Sequence, residues 1–161
     1  MRMSAVNPVD SVVKVVVDNN IIFSSLLNSN GTIGDLLFNS EPFIEFYSCH
    51  YMQFEIDKNW KKLLKISKLT EAQLRESQIK IYSKIYFINE ELIPQKTWVK
   101  AEEIAKEVDI DDTDFIALSK HLKAFLWTGD KELYNGLKQR RIKNVCNTSD
   151  LLALRLKLTE F

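Results

Sequence analysis

VVKVVVDNNIIFSSLL, residues 12–27, is the stretch on which the reading of the whole chain turns. Five valines around Lys14 are stiff at χ1 and suit a pleated strand, and a run with so little polar alternation suits a strand covered on both faces. The run stops at Asp18. Asn19 and Asn20 follow and open a helical segment that closes in the turn-rich residues 28–31. A carboxylate at the end of a buried strand needs a reason. Either its oxygens accept from the unpaired amides of the following helix, as a cap, or it serves chemistry at the edge of the sheet.

Working outward, PFIEFYS (42–48), KIYFIN (84–89), AFLW (124–127) and IKNVC (142–146) read as further strands. Helices are expected over 51–64, where Met52, Ile56, Trp60 and Leu63 recur at helical spacing, and over 70–84, 97–108 and 112–122. Two more run through Leu137 and over 149–158. Strands alternating with helices predict an α/β fold with a mostly parallel central sheet and helices on both faces, a three-layer α/β/α arrangement.

The 161 residues, 45% of them hydrophobic, suffice for one core, so residues 12–161 are expected to form one domain. Residues 1–11 are mixed and polar, which predicts a disordered tail and no signal peptide. No apolar stretch is long enough to span a bilayer, and Cys49 and Cys146 follow no metal-ligand spacing; both point to reduced thiols and a cytoplasmic location. Lys plus Arg balance Asp plus Glu, 22 against 22, so no global field announces a polyanionic partner. The charges are nevertheless segregated. Seven acids between Glu102 and Asp114 face only Lys106, while Lys58, Lys61, Lys62, Lys65 and Lys68 share one segment. Lys138, Arg140, Arg141 and Lys143 gather in another.

In open parallel sheets the ligand crevice lies beyond the carboxyl ends of the strands. Asp18 leaves one strand, and Asp130 in AFLWTGD leaves another. Asp112 opens a helix whose Phe115, Ile116 and Ser119 face the core, and Glu55 borders the apolar stripe of Met52 and Ile56. Acids crowded at one rim repel, and a hard divalent cation such as Mg²⁺ or Mn²⁺ is the usual reason to gather them. Held this way, it can activate a water and neutralise a phosphodiester transition state. His50 and His121 lack partners at ligand or triad spacing, and Trp60, Trp98 and Trp127 are assigned to the core.

These residues resemble the PIN-domain nucleases. VVVDNNIIFSSLL (15–27) looks like the family's opening strand and acid, FYSCHYMQFEIDKNWKKLLKISKLTEAQL (46–74) like the segment whose helix carries a glutamate, and DIDDTDFIALSKHLKAFLWTGDKEL (109–133) like the segment with the last two acids. The resemblance implies a metal-dependent endoribonuclease using Mg²⁺ or Mn²⁺, with Asp18, Glu55, Asp112 and Asp130 as the catalytic, metal-holding acids. Asp114 is a second choice for the third acid; the spacing to Ala117 and Ser119 favours Asp112. Asn20, Ser24 and Thr128 are expected to orient the acids or a phosphate by hydrogen bonds. Lys131, Lys138, Arg140, Arg141 and Lys143 are the candidates for holding the RNA backbone. A partner antitoxin and a homodimer are further implied partners. Asn59 departs from the histidine that relatives often carry there.

Two rivals stand beside this reading. One is a catalytically inactive PIN-like module that binds RNA or protein. The other is a phosphatase of the haloacid dehalogenase type, which normally carries a second Asp where this chain has Asn20.

Overall fold

The computed structural model describes residues 12–160; the expected tail at 1–11 lies outside the described residues. Strand β1 (Val13–Val17) pairs with β2 (Ile44–Cys49) on one side and β4 (Phe125–Trp127) on the other. Strand β3 (Ile85–Ile88) pairs outside β2, and β5 (Val145–Cys146) outside β4. Every pairing is parallel and the order is β3-β2-β1-β4-β5. Val15, Val16 and Val17 are each 0% exposed, as a central strand covered on both faces requires.

Helices α1 (Asn19–Leu27), α2 (Thr32–Phe38), α4 (Trp60–Ser67), α5 (Glu71–Tyr82) and α9 (Thr148–Leu158) pack with one another in one layer. Helix α3 (Met52–Lys58) leads from β2 into α4. Across the sheet, α6 (Gln95–Ala105) lies along α7 (Thr113–Leu122), and α8 (Lys131–Gln139) adjoins the α6–α7 connection, where Gly136 meets Val108. The three-layer α/β/α arrangement is therefore present, with its parallel sheet in the middle. No helix among the described residues is long and apolar enough to cross a membrane. Both cysteines are free and buried.

Three departures from the sequence reading have local causes. The helix expected over 51–64 is broken at Asn59, whose side-chain amide donates to the Glu55 carbonyl at 2.8 Å; such a side chain competes with the helical backbone. The strand expected over 142–146 is only Val145–Cys146, because the Ile142 amide still donates to the Leu137 carbonyl and finishes the end of α8. Helix α2 was not anticipated; it is short and carries a glycine, and its position depends on that glycine. A Cβ at Gly34 would stand 2.0 Å from the carbonyl oxygen of Ser29, so only glycine lets α2 lie against the preceding turn.

Gly34→Ala separates two opposed effects. Helix propensity alone favours alanine by about 0.5–1 kcal/mol. The backbone contact demands a shift that costs about 1–3 kcal/mol. Urea unfolding is expected to show net destabilisation, whereas Gly129→Ala, whose Cβ meets only Ile21 Cδ1 at 3.8 Å, should change little. A Gly34→Ala protein as stable as the parent would contradict the close packing of α2.

Candidate active site

The strand order reverses its direction of growth between β1 and β4, and at such a switch point the connections leave to opposite sides and open a crevice. Asp18 stands there. Its amide still donates to the Trp127 carbonyl at 3.3 Å, so the β1–β4 ladder runs up to the acid itself. The side chain caps α1, Oδ1 accepting from the Ile21 amide at 3.0 Å, and is 1% exposed. The Thr128 hydroxyl, fully buried, donates to Asp18 and accepts from the Asp130 amide at 3.0 Å. Burial raises the Asp18 carboxyl most, the bonds from Thr128 and Ile21 oppose it, and the Asp130 charge adds to it, leaving the group at about 6.

Asp130 caps α8, with Oδ1 accepting from the Glu132 and Leu133 amides at 2.9 and 3.2 Å. Asp18 and Asp130 are thus caps and rim residues at once; the two explanations offered for Asp18 are not exclusive.

Asp112 ends a 3₁₀ turn at Ile110–Asp112 and occupies the cap position of α7, but makes no side-chain cap bond. Its Oδ2 is buried and has no hydrogen-bond partner, alone in this among the buried side-chain nitrogens and oxygens of the described residues. Burial, followed by the charges of Asp109, Asp18, Asp130 and Asp111, pushes its carboxyl up to about 7. Asp18, Asp112 and Asp130 therefore sense one another.

Asp114 faces elsewhere. It is hydrogen-bonded by the Tyr51 hydroxyl, and burial with the Glu90 charge raises it while that bond opposes them. Glu55, on the first turn of α3, is partly exposed, and its charge is felt by the Tyr51 phenol; it is not among the charges that most raise Asp18 or Asp112. Asn20 is exposed and its backbone amide supports Asp18, while Ser24 is exposed one turn further along α1.

Of the expected cations, Lys131 adjoins Asp130 and is exposed. The rest are not brought to this rim. Helix α8 starts at the carboxyl edge and descends, so Arg140, Arg141 and Lys143 lie toward the opposite edge, where β5 begins. Arg140 pairs there with Glu107 at 2.9 Å, and the Lys138 ammonium sits 5.5 Å from the Tyr134 ring. Clefts beside Pro42, Lys84 and Tyr86, and beside Asn28, Gln73 and Lys80, also open away from the acids.

Two contributors escaped the sequence reading. Asp109, visible only as part of an acidic run, is the charge that Asp112 feels most. Tyr51 carried no signal beyond an aromatic ring following a strand. Among the described residues no group of three His, Cys, Asp or Glu side chains is gathered closely enough to hold an ion. The donors are all hard oxygens, and the partnerless Asp112 oxygen is a natural ligand atom. Their chemistry fits a divalent cation that keeps part of its water shell.

The raised carboxyls fix the sign of a pH effect. A group whose folded value lies above its ordinary 3.8 adds stability below that value and loses it as pH rises through the folded one, here about 6 for Asp18 and about 7 for Asp112. Metal-free protein should therefore lose this contribution between about pH 4 and pH 7. Asp18→Asn keeps the cap and removes the titration. Urea unfolding in chelator should show the variant gaining on the parent by on the order of 1–1.5 kcal/mol between pH 5 and pH 8. A difference that does not vary with pH would count against the buried, ionising Asp18.

No curated protein matches the chain. A buried acid at the switch point, with two more acids at the neighbouring helix starts, meets an independent finding: the profile of the PIN domain matches residues 16–150, most of the chain. The chain belongs to the PIN domain family, a nuclease-type fold.

Proposed function

We propose that this protein is a divalent-metal-dependent endoribonuclease that hydrolyses RNA phosphodiester bonds at the rim between β1 and β4. The observation that carries the reading is the Asp112 Oδ2 atom, buried without a donor while the like charges of Asp18 and Asp130 reach it. A buried acceptor left unpaired costs about 1–3 kcal/mol or more, which a cation would recover. Asp18, Asp112 and Asp130, with Glu55 from α3, would hold Mg²⁺ or Mn²⁺. Bound there, the cation supplies charge neutralisation at the phosphate and acidifies a water. The chain's own part is to keep the acids in place. Thr128 and the Ile21 amide hold Asp18, and the Glu132 and Leu133 amides hold Asp130.

An acidic rim repels RNA, so cations must receive its backbone. Lys131 is one. Lys58, at the end of α3, and Lys62 and Lys65, in α4, follow Glu55 in sequence and are all exposed. These exposed lysines favour a backbone contact on α3 and α4 over one at the 138–143 cluster. An antitoxin that restrains the enzyme, a second copy of the chain, and a cytoplasmic location complete the reading. The inactive-module alternative draws on the spread of the acids, which are not gathered as a ligand group among the described residues. The phosphatase alternative lacks its second acid, since Asn20 stands there.

Labelled single-stranded RNA should be cleaved with Mn²⁺ and left intact in excess chelator. Asp112→Asn should slow cleavage at least ~100-fold, about 2.7 kcal/mol of transition-state stabilisation. RNA binding without any metal-dependent cleavage would favour the inactive module.

Fluorescence anisotropy in chelator tests the surface separately. Single-strand binding weakens with salt by about 0.7 log units per neutralised phosphate, per log unit of salt. The Lys58→Gln, Lys62→Gln, Lys65→Gln triple variant should flatten that slope by about 2. The corresponding triple variant at Lys138, Arg141 and Lys143 should leave it unchanged; the reverse pattern would return the RNA contact to the end of α8.

A further inference from the structure

We infer that Tyr51 and Asp114 form a positioning pair that sets Glu55 against Asp112, neither of the two touching the cation or the substrate. The inference rests on the metal reading above and deepens it.

Tyr51 is tied to three segments at once. Its carbonyl accepts from the Phe54 and Glu55 amides at 2.9 and 3.1 Å, so it forms the first turn of the helix that carries Glu55. Its amide donates to Glu90 Oε1 at 2.6 Å, in the turn that follows β3. Its ring lies 6.3 Å from that of Phe115, in the first turn of α7, and its hydroxyl donates to Asp114 beside it. One residue before the turn, Cys49 at the end of β2 places its Sγ 3.7 Å from the Asp114 carbonyl oxygen. Two contacts thus join the exit of β2 to the start of α7.

The chemistry of the pair fits tethering better than ligation. A half-buried phenol needs a polar partner, and a half-buried carboxylate needs a donor; each supplies the other. Tyrosine has few rotamers, and its ring is packed on Phe115, so the bond fixes backbone as well as side chain. Asp112 lies two residues before Asp114, and Glu55 four residues after Tyr51. Locking the pair therefore sets the spacing between two acids that are remote in sequence. On this account Asp114 is occupied by Tyr51 and is not the third metal-holding acid.

Calorimetric titration with Mn²⁺ tests the inference apart from catalysis. Partners of this kind typically alter metal affinity by 10–100-fold. Tyr51→Phe and Asp114→Ala should each weaken Mn²⁺ binding about 10-fold. Asp114→Asn keeps a carbonyl oxygen for the Tyr51 hydroxyl and should largely restore affinity. If Tyr51 acts through Glu55, the effects are not additive: Tyr51→Phe combined with Glu55→Gln should bind no more weakly than Glu55→Gln alone. Unfolding midpoints in chelator identify any variant that does not fold, and should Tyr51→Phe fail, the two Asp114 variants carry the same comparison.

Undiminished Mn²⁺ binding by Tyr51→Phe, or by Asp114→Ala, overturns the positioning pair alone. So does an Asp114→Asn loss as large as that of Asp112→Asn, which would make Asp114 a ligand. Absence of Mn²⁺ binding by the parent protein overturns the metal reading itself, and the inference with it.

Discussion

A strand covered on both faces cannot end in a carboxylate unless something answers for the charge. β1 is central because its valines have no exposed side, and its two neighbours continue as far as Asp18, whose own amide completes the ladder to Trp127. The acid is therefore buried before any chemistry is considered. Moving an ion of this kind out of water costs several kcal/mol even after relaxation. The chain offsets part of that with the Ile21 amide and the Thr128 hydroxyl, and the remainder appears as a carboxyl shifted to about 6. The exits of β1 and β4 are joined by the same hydroxyl, since Thr128 also accepts from the Asp130 amide.

The three rim acids solve this problem unequally. Asp18 and Asp130 have amide donors and would be tolerable as simple caps. Asp112 has none at Oδ2, and it also receives the charges of Asp109 and Asp111 from its own turn. A cap explains the first two without function; the third sits at a helix start but has no donor to its buried Oδ2. That asymmetry is why Asp112, and not the more deeply buried Asp18, carries the functional argument.

How far the sequence could be read follows from distance along the chain. Strand and helix alternation was legible because valine-rich and apolar-periodic runs are local signals, and the profile match over residues 16–150 agrees with the motifs that suggested the family. The spacing to Ala117 and Ser119 favoured Asp112 over Asp114, but it did not say which of the two faces Asp18. Two residues apart on a helix, they point about 200° away from each other, so only the packing of α7 shows which faces Asp18. The basic residues 138–143 follow Asp130 closely in sequence, yet a helix rising about 1.5 Å per residue takes them to the far edge of the sheet. Helix α2 and the break at Asn59 rest on a single backbone approach and a single side-chain bond, which no pattern of hydrophobicity records.

All three rim acids occupy the cap positions of helices, α1, α7 and α8, of nine, ten and nine residues. Aligned peptide dipoles give each helix start roughly half a positive charge, so three converging starts present about +1.5 to three carboxylates. The rim is thus far less negative than a count of its side chains suggests. That background belongs to the backbone and does not titrate. It eases the folding of a chain that brings these acids to one rim, and it lowers the barrier that a phosphate meets on approach.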